Sequence, residues 1–137
     1  MNILFVCTGN TCRSPMAEYL ARKYYNSNTY FSAGLSALSG QSASSDAINA
    51  MKSYDIDLSS HTAQELSFEL TQKCDYIVPM TSSHKHTLLM LGIDKNKILS
   101  FCEEISDPYM CDETVYLNCA KQIKKNLDML FGENNDN

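Results

Sequence analysis

The sequence lacks the features that mark several classes of protein. It contains no run of about 18 apolar residues, so no membrane-spanning helix is expected. Its first residues do not combine a basic region with a long apolar segment and a small-residue cleavage site, so we expect no signal peptide and a cytoplasmic location. The formal net charge of −5 argues against nonspecific binding of nucleic acid, which needs a basic face.

The six cysteines lack the paired spacing of a structural zinc site. No two of them are separated by only two residues, so we expect neither a metal nor another cofactor. In a reducing compartment, free thiols are favoured over disulfides. We expect Cys111 to be exposed and three others to lie in or near the core, namely Cys74, Cys102 and Cys119.

The apolar pattern predicts one α/β domain. Hydrophobic residues form 44% of the 137 residues, enough for a sizeable core. Short apolar runs alternate with segments of helical spacing, and this alternation favours parallel strands joined by right-handed crossovers. We predict a three-layer single domain over 1–131, with a four-stranded parallel sheet flanked by helices, a phosphate-binding loop after the first strand, and a frayed tail at 132–137.

Each predicted element has its own signal. A helix follows the first strand, with Ser14 suited to its cap and Pro15 to its first position. The other predicted helices cover 43–54, 62–72, 81–91 and 113–131. The predicted strands cover 2–7, 29–33, 76–80 and 97–102.

The segment CTGNTCRS joins the first strand to the first helix. Ligands of parallel α/β sheets bind at the carboxyl ends of strands, and Cys7 lies at such an end. The backbone N–H groups that follow it can surround an oxyanion at the positive end of the helix. Gly9 permits a backbone conformation that other residues avoid, and Asn10 tolerates the left-handed region. The predicted phosphate-binding residues are Thr8, Gly9, Asn10, Thr11, Cys12, Arg13 and Ser14.

Cys7 has the surroundings of a nucleophile. The helix dipole, the loop amides and Arg13 all favour its thiolate form, and the planar fork of Arg13 fits phosphate. Ser14 can donate its hydroxyl proton to the sulfur of Cys7, which would stabilise the thiolate as a leaving group. A thiolate that faces a bound phosphoryl group is placed for attack on phosphorus.

The motifs resemble those of the low-molecular-weight protein tyrosine phosphatase family. CTGNTCRSPMAE matches its C-x5-R-[ST] loop, and similar segments follow at 32–34, 57–61, 74–85 and 107–109. The resemblance implies a cysteinyl-phosphate intermediate and no metal. It also implies that Cys7 is the nucleophile, Arg13 the phosphate clamp and Asp107 the general acid and then the base.

Leaving-group chemistry agrees with this assignment of Asp107. Release of phosphate from oxygen or nitrogen needs a proton at the leaving atom, and Arg13 stays charged. Asp107 comes soon after the predicted fourth strand, and Pro108 stiffens its backbone. Alone, an Asp-Pro pair is more typical of a turn. Beside C-x5-R-S, we interpret it as catalytic.

The resemblance is closest to bacterial members, which include protein arginine phosphatases. In the family, tyrosine phosphatases tend to carry a bulkier aliphatic residue where this chain has Thr11, and arginine phosphatases carry threonine. We therefore favour phosphoarginine, with phosphotyrosine a close second. Tyr109 would either lie at the rim and stack on the leaving group, or be an ordinary half-buried aromatic residue. Met110 and Cys111 depart from the small residues of many bacterial relatives.

Several other residues have two possible interpretations. Cys12 could capture an oxidised Cys7 as a disulfide, or it could simply pack under the loop. We expect His61 to lie behind the loop, and His84 and His86 on a solvated helix face. Among candidates to hold the loop by hydrogen bonds, Asn10 is preferred over Ser36 and Ser39.

Three other functions are alternatives to phosphatase activity for a protein with this loop. A thioredoxin-coupled arsenate reductase shares the loop but needs two further cysteines in one mobile segment. A phosphotransferase carrier module needs neither Arg13 nor Asp107, and a pure anion-binding module needs no nucleophile. For the phosphatase we expect a monomer that acts on phosphorylated proteins and takes inorganic phosphate or other oxyanions as ligands, without nucleic acid or membrane.

Overall fold

The central sheet has three parallel strands. The computed structural model describes residues 1–109 and 111–132. Its strands are β1 (Asn2–Cys7), β2 (Thr29–Gly34) and β3 (Tyr76–Pro79), in the order β2-β1-β3. Cys7 pairs with Gly34 in the parallel register, so it lies at the carboxyl edge of the central strand.

Helices cover both faces of this sheet, as predicted. Alternate β1 residues point to opposite sides. Phe5 joins a core with residues of the first, second and last helices, whereas Leu4 joins a smaller core with residues beside the third and fourth. The helices are α1 (Arg13–Tyr24), α2 (Ser45–Met51), α3 (Phe68–Lys73), α4 (Ser82–Met90) and α5 (Glu113–Phe131), with 3-10 turns at Lys52–Tyr54 and Lys95–Lys97.

The predicted fourth strand at 97–102 is wrong. This segment meets β3 at an isolated bridge between Ile98 and Ile77 and then leaves it, and Ile105 returns to donate its N–H to Met80 at 2.9 Å. Between Ile98 and Ile105, side chains of α5 form hydrogen bonds with the backbone. Asn126 accepts the N–H of Glu103 at 3.1 Å, and Gln122 donates to the carbonyl of Glu104 at 3.0 Å. These contacts replace a strand ladder along the edge of β3.

Three helix boundaries also differ from the prediction. Residues 62–67 are not helical, because bridges from Thr62 to Ser42 and from Glu65 to Gly34 hold them beside the sheet. The predicted helix at 43–54 is a shorter α2 followed by a 3-10 turn.

At α1, the predicted cap is wrong because the hydroxyl of Ser14 faces Cys7, and Cys12 takes the N-cap position. The predicted helix at 113–131 is confirmed. The predicted frayed tail lies outside the described residues from 133 onward. No helix within the described ranges is long and apolar enough to cross a membrane.

The end of β2 supports the loop after β1. A Cβ added to Gly34 would lie 2.6 Å from the carbonyl oxygen of Thr8, 2.9 Å from the Cβ of Ala37 and 3.0 Å from the amide nitrogen of Asn10. Two of these atoms are backbone, so a side chain at Gly34 would displace the loop.

We expect Gly34→Ala to lower the free energy of unfolding by about 1–3 kcal/mol, the usual range for overpacking. Urea unfolding measures this change. Gly9→Ala is the matched control for stability, because its Cβ would meet only the Thr11 hydroxyl, at 3.7 Å. Equal unfolding midpoints for the two variants would contradict this account of Gly34.

Candidate active site

The sulfur of Cys7 receives hydrogen bonds from two directions. Cys7 is buried, and its Sγ lies 2.9 Å from Oγ of Ser14 and 3.3 Å from the donating N–H of Asn10. Asn10 Nδ2 also donates to Oγ of Ser14 at 2.8 Å. Because the Ser14 oxygen already accepts a proton there, its own proton is free for the sulfur. The Ser14 hydroxyl and the Asn10 N–H are therefore both placed to donate a hydrogen bond to the sulfur.

Asn10 holds the loop in shape. Its φ of 56° lies in the left-handed region, which asparagine tolerates. Its buried amide binds Ser14, donates to Oγ of Ser32 at 2.9 Å and accepts the N–H of Gln64 at 2.9 Å. Nε2 of His61 lies 3.0 Å from the Asn10 carbonyl oxygen, so His61 lies behind the loop as expected. The expected left-handed conformation of Asn10 and its expected hydrogen bonds to the loop are confirmed.

Gly9 and the serines of the next loop act differently from expectation. Gly9 does not have a positive φ, so the idea that it takes a conformation other residues avoid is wrong. Ser36 supports the loop through its backbone N–H, which donates to Thr8 at 2.9 Å. Ser39 instead accepts the N–H of Glu65 at 3.3 Å.

A buried carboxyl lies behind this network. Ser32 donates to Oε1 of Glu18 at 2.5 Å, and Glu18 forms an ion pair with Arg22. Burial raises the pKa of Glu18, while Ser32 and Arg22 oppose that shift. Sequence reasoning missed Glu18 and Ser32 as supports of Asn10. The only local signal was their presence within the motifs CRSPMAE and SAG.

Arg13 connects the cysteine loop to the segment that carries Asp107. Its Nη1 donates to the carbonyl of Ile105 at 3.1 Å, and its Nη2 lies 3.5 Å from Oδ2 of Asp107. Its Nε is buried and, within residues 1–109 and 111–132, has no hydrogen-bond partner. Buried donors are normally paired, so this N–H is available to an anion beside Cys7.

Asp107 and Tyr109 lie at the open side of the site. The Asp107 side chain is 51% exposed, and its Oδ1 accepts the N–H of Tyr109 at 3.1 Å. Tyr109 is 70% exposed. The structure therefore places Asp107 beside Arg13, at the end of the loop that begins at Cys7. Met110 lies outside the described residues.

His84 lies beside the loop, and its expected place on a solvated face is wrong. It is buried, with Nε2 at 2.9 Å from Oγ1 of Thr8 and Nδ1 at 3.0 Å from Oγ1 of Thr81. His86 is exposed, as predicted. The sequence feature that could have indicated the position of His84 is Thr81, which lies three residues before it and caps α4.

Comparison with known proteins decides the family. The family model described as "Low molecular weight phosphotyrosine protein phosphatase" matches residues 2–137. The chain belongs to the low-molecular-weight phosphotyrosine protein phosphatase family. It is 39% identical over 120 residues to the low-molecular-weight protein-tyrosine-phosphatase Ptp of Acinetobacter johnsonii, a match that covers 84% of each chain.

Solved structures of this phosphatase family include arginine phosphatases. The YwlE arginine phosphatase from Geobacillus stearothermophilus has a TM-score of 0.87 and 32% identity, over 94% of this chain and 89% of that one. A further YwlE arginine phosphatase structure has a TM-score of 0.88 and 29% identity, over 95% and 93% of the two chains. In that structure, a serine that replaces the active-site cysteine is phosphorylated.

The second cysteine of the phosphatase loop is held as a thiol. Cys12 is buried, and burial together with nearby Cys7 raises the pKa of Cys12 to about 12. Burial and the nearby Cys12 similarly raise the pKa of Cys119 to about 12. With this raised pKa, Cys12 stays a protonated thiol near neutral pH and is a poor nucleophile.

The remaining cysteines follow the prediction with one exception. Cys74 and Cys119 are buried and Cys111 is exposed, as expected. Cys102 is exposed, so its expected core position is wrong, because residues 97–102 do not continue as a strand of the sheet. Within the described part of the chain, no group of three or more His, Cys, Asp or Glu side chains is placed to hold a metal ion.

We expect the burial of His84 to make the stability of this phosphatase depend on pH. Burial and the nearby Arg13 lower the pKa of His84 from 6.5 to about 4, against the opposing charges of Asp107 and Glu104. The unfolded chain then binds more protons than the folded chain between these values, so stability falls as the pH drops below about 6.5.

Urea unfolding at pH 7 and pH 5 measures this dependence. The wild type should lose about 1–2 kcal/mol more than His84→Gln between the two values. His86→Gln, a change on the exposed face of α4, should follow the wild type. Indistinguishable pH dependence in the wild type and His84→Gln would contradict a neutral, buried imidazole.

Proposed function

We propose that this protein hydrolyses phosphorylated protein side chains through a phosphocysteine intermediate on Cys7. The observation that carries the proposal is the environment of the Cys7 sulfur. It lies 2.9 Å from the Ser14 hydroxyl and 3.3 Å from the Asn10 amide. The same loop ends at Arg13, whose buried Nε has no hydrogen-bond partner among the residues that the structure describes. A thiolate and an anion-binding donor set in one place fit nucleophilic attack on a phosphoryl group.

The first step transfers the phosphoryl group to sulfur. The Cys7 thiolate attacks phosphorus, a new S–P bond forms and the bond from phosphorus to the leaving oxygen or nitrogen breaks. Arg13 and the backbone N–H groups of the loop hold the phosphoryl oxygens. Asp107 gives its proton to the leaving atom. Its side chain is suited to this role because it lies near Arg13 and remains half exposed to the substrate side.

The second step returns the enzyme to its starting state. Asp107, now a carboxylate, takes a proton from water as the oxygen attacks phosphorus, and the S–P bond breaks. The Cys7 sulfur leaves as a thiolate, which the Ser14 hydroxyl and the Asn10 N–H stabilise. Inorganic phosphate is the product and a ligand of the loop. The phosphorylated serine at the active site of the YwlE relative supports Cys7 as the phosphoryl acceptor here.

We further propose phosphoarginine as the favoured substrate, with phosphotyrosine next. Support comes from Thr11 in the string CTGNTCRS and from structural relatives named as arginine phosphatases. The Thr11 hydroxyl lies 3.7 Å from the position that a Cβ on Gly9 would take, in the wall of the same loop, where it can limit the shape of the leaving group. The carboxylate of Asp107 and the exposed ring of Tyr109 offer a guanidinium an anion and a stacking surface.

Oxidation of the site involves its two loop cysteines in this proposal. A hydroperoxide transfers its terminal hydroxyl group to the Cys7 thiolate, which becomes a sulfenic acid, and is itself reduced to an alkoxide that takes a proton from water. The Cys12 thiol then attacks that sulfur, a disulfide forms and the oxygen leaves as water. Both residues are buried in the same loop, and Cys12 remains protonated until this step. A cellular thiol reverses the reaction.

The cellular setting belongs to the same proposal. We place the enzyme in the cytoplasm, where reducing conditions keep Cys7 from forming a disulfide. Its partners are phosphorylated proteins, and its expected state is a monomer.

A matched assay tests the substrate class. Initial turnover of a phosphoarginine protein and of a phosphotyrosine peptide is compared at equal concentrations. We expect faster turnover of phosphoarginine by the wild type. Thr11→Ile should shift the ratio of the two rates toward phosphotyrosine by about tenfold or more, since an added aliphatic group changes the shape of the loop wall.

Cys7→Ser is the blank for this assay and should turn over neither substrate. A wild-type preference for phosphotyrosine would contradict the role of Thr11 and assign specificity to the rim at Tyr109. Failure on both substrates, together with thioredoxin-dependent reduction of arsenate, would contradict the phosphatase proposal itself.

A further inference from the structure

His84 links the N-terminus of α4 to the rim of the cysteine loop. Its ring lies between two hydroxyls, Thr81 on one side and Thr8 on the other. We propose that His84 is a positioning residue that turns the Thr8 hydroxyl into a donor for a phosphoryl oxygen. This inference rests on the proposed phosphate site; it gives the side chain of Thr8, already expected there, a stated role and adds His84 to the site.

The directions of the protons follow from the contacts of Thr81. Its Oγ1 accepts the backbone N–H of His84 at 3.1 Å, as the cap of α4. The Thr81 hydroxyl has one proton, and Nδ1 of the ring lies 3.0 Å away to accept it. The ring proton of a neutral imidazole then resides on Nε2, which donates to Oγ1 of Thr8 at 2.9 Å.

This arrangement leaves the proton of Thr8 for a ligand. Thr8 is exposed, and within residues 1–109 and 111–132 its hydroxyl contacts only His84 through a hydrogen bond. Since Oγ1 already accepts a proton from the ring, the hydroxyl presents its own proton outward. Thr8 follows Cys7 directly in the chain, so that proton is available at the mouth of the anion site.

The position of His84 is fixed more firmly than that of Thr8. His84 is 6% exposed, and its backbone and side chain both contact the α4 cap. Thr8 by itself has a rotatable hydroxyl at the surface. The buried ring therefore selects one orientation of that hydroxyl. Burial and the nearby charge of Arg13 lower the pKa of His84 to about 4, which keeps the imidazole neutral near pH 7, as the acceptor role of Nδ1 requires.

Binding of inorganic phosphate, measured by calorimetry, tests this role without depending on turnover. Thr8→Val and His84→Leu should each weaken phosphate binding about five- to tenfold, the effect of one hydrogen bond to a charged ligand. The double variant should bind phosphate no more weakly than either single variant, because both changes remove the same contact. His84→Gln, whose amide N–H can reach Thr8, should restore most of the affinity.

Kinetics on an aryl phosphate provide the second readout. Thr8→Val and His84→Leu should raise KM by a similar factor and change kcat by less than about twofold. The inference would be overturned if the losses of phosphate affinity multiplied in the double variant. It would also be overturned if Thr8→Val left the phosphate affinity unchanged. Thr8 is on the surface, so this variant keeps the test valid even where His84→Leu does not fold.

The two proposals fail in different ways. Wild-type protein that binds phosphate but hydrolyses no phosphorylated substrate would contradict the proposed function, and the phosphate affinities of the variants would still decide the role of His84. Wild-type protein that hydrolyses substrate while all four variants bind phosphate equally well would overturn the role of His84 alone. A wild type that binds no phosphate would overturn the inference.

Discussion

The hydrogen bonds of the Asn10 side chain hold the loop on which the rest of the site depends. One buried amide contacts Ser14, Ser32 and Gln64, and the backbone at Asn10 turns into the left-handed region. These contacts join α1, β2 and the segment before α3 at one point. A buried amide without partners costs about 1–3 kcal/mol, so the network strongly favours one loop shape. That shape directs the Asn10 N–H and the Ser14 hydroxyl to the sulfur of Cys7.

Arg13 extends this order to the opposite wall of the site. It begins α1, and its guanidinium binds the carbonyl of Ile105 and lies beside Asp107. The segment before Asp107 is not a sheet strand, and it is held instead by β3 and by polar side chains of α5. These contacts are few and polar. Asp107, the acid of the proposed reaction, therefore lies on a segment that is hydrogen-bonded at Ile105 and exposed to solvent at Asp107.

The local parts of the fold were predictable from sequence, and the long-range parts were not. The strand ending at Cys7, the loop to Arg13 and the helix of α5 have signals within a few residues. The run KILSFC at 97–102 has the composition of a strand, yet in the structure it meets β3 only at an isolated bridge at Ile98. Side chains of α5 then bond the backbone of Glu103 and Glu104 just after it, and no local signal in the sequence shows these long-range contacts. His84 was misplaced for the same reason, since its partner Thr8 is 76 residues away.

The proposed reaction depends most directly on Cys7 as the acceptor of the phosphoryl group. The decisive measurement mixes wild-type protein with a phosphorylated protein substrate, stops the reaction in acid within milliseconds and determines peptide masses. With a phosphocysteine intermediate, we expect the peptide that contains Cys7 to gain the mass of one phosphoryl group during turnover and to lose it once the substrate is consumed. Turnover with unmodified Cys7, or with the phosphoryl group on another residue, would contradict it.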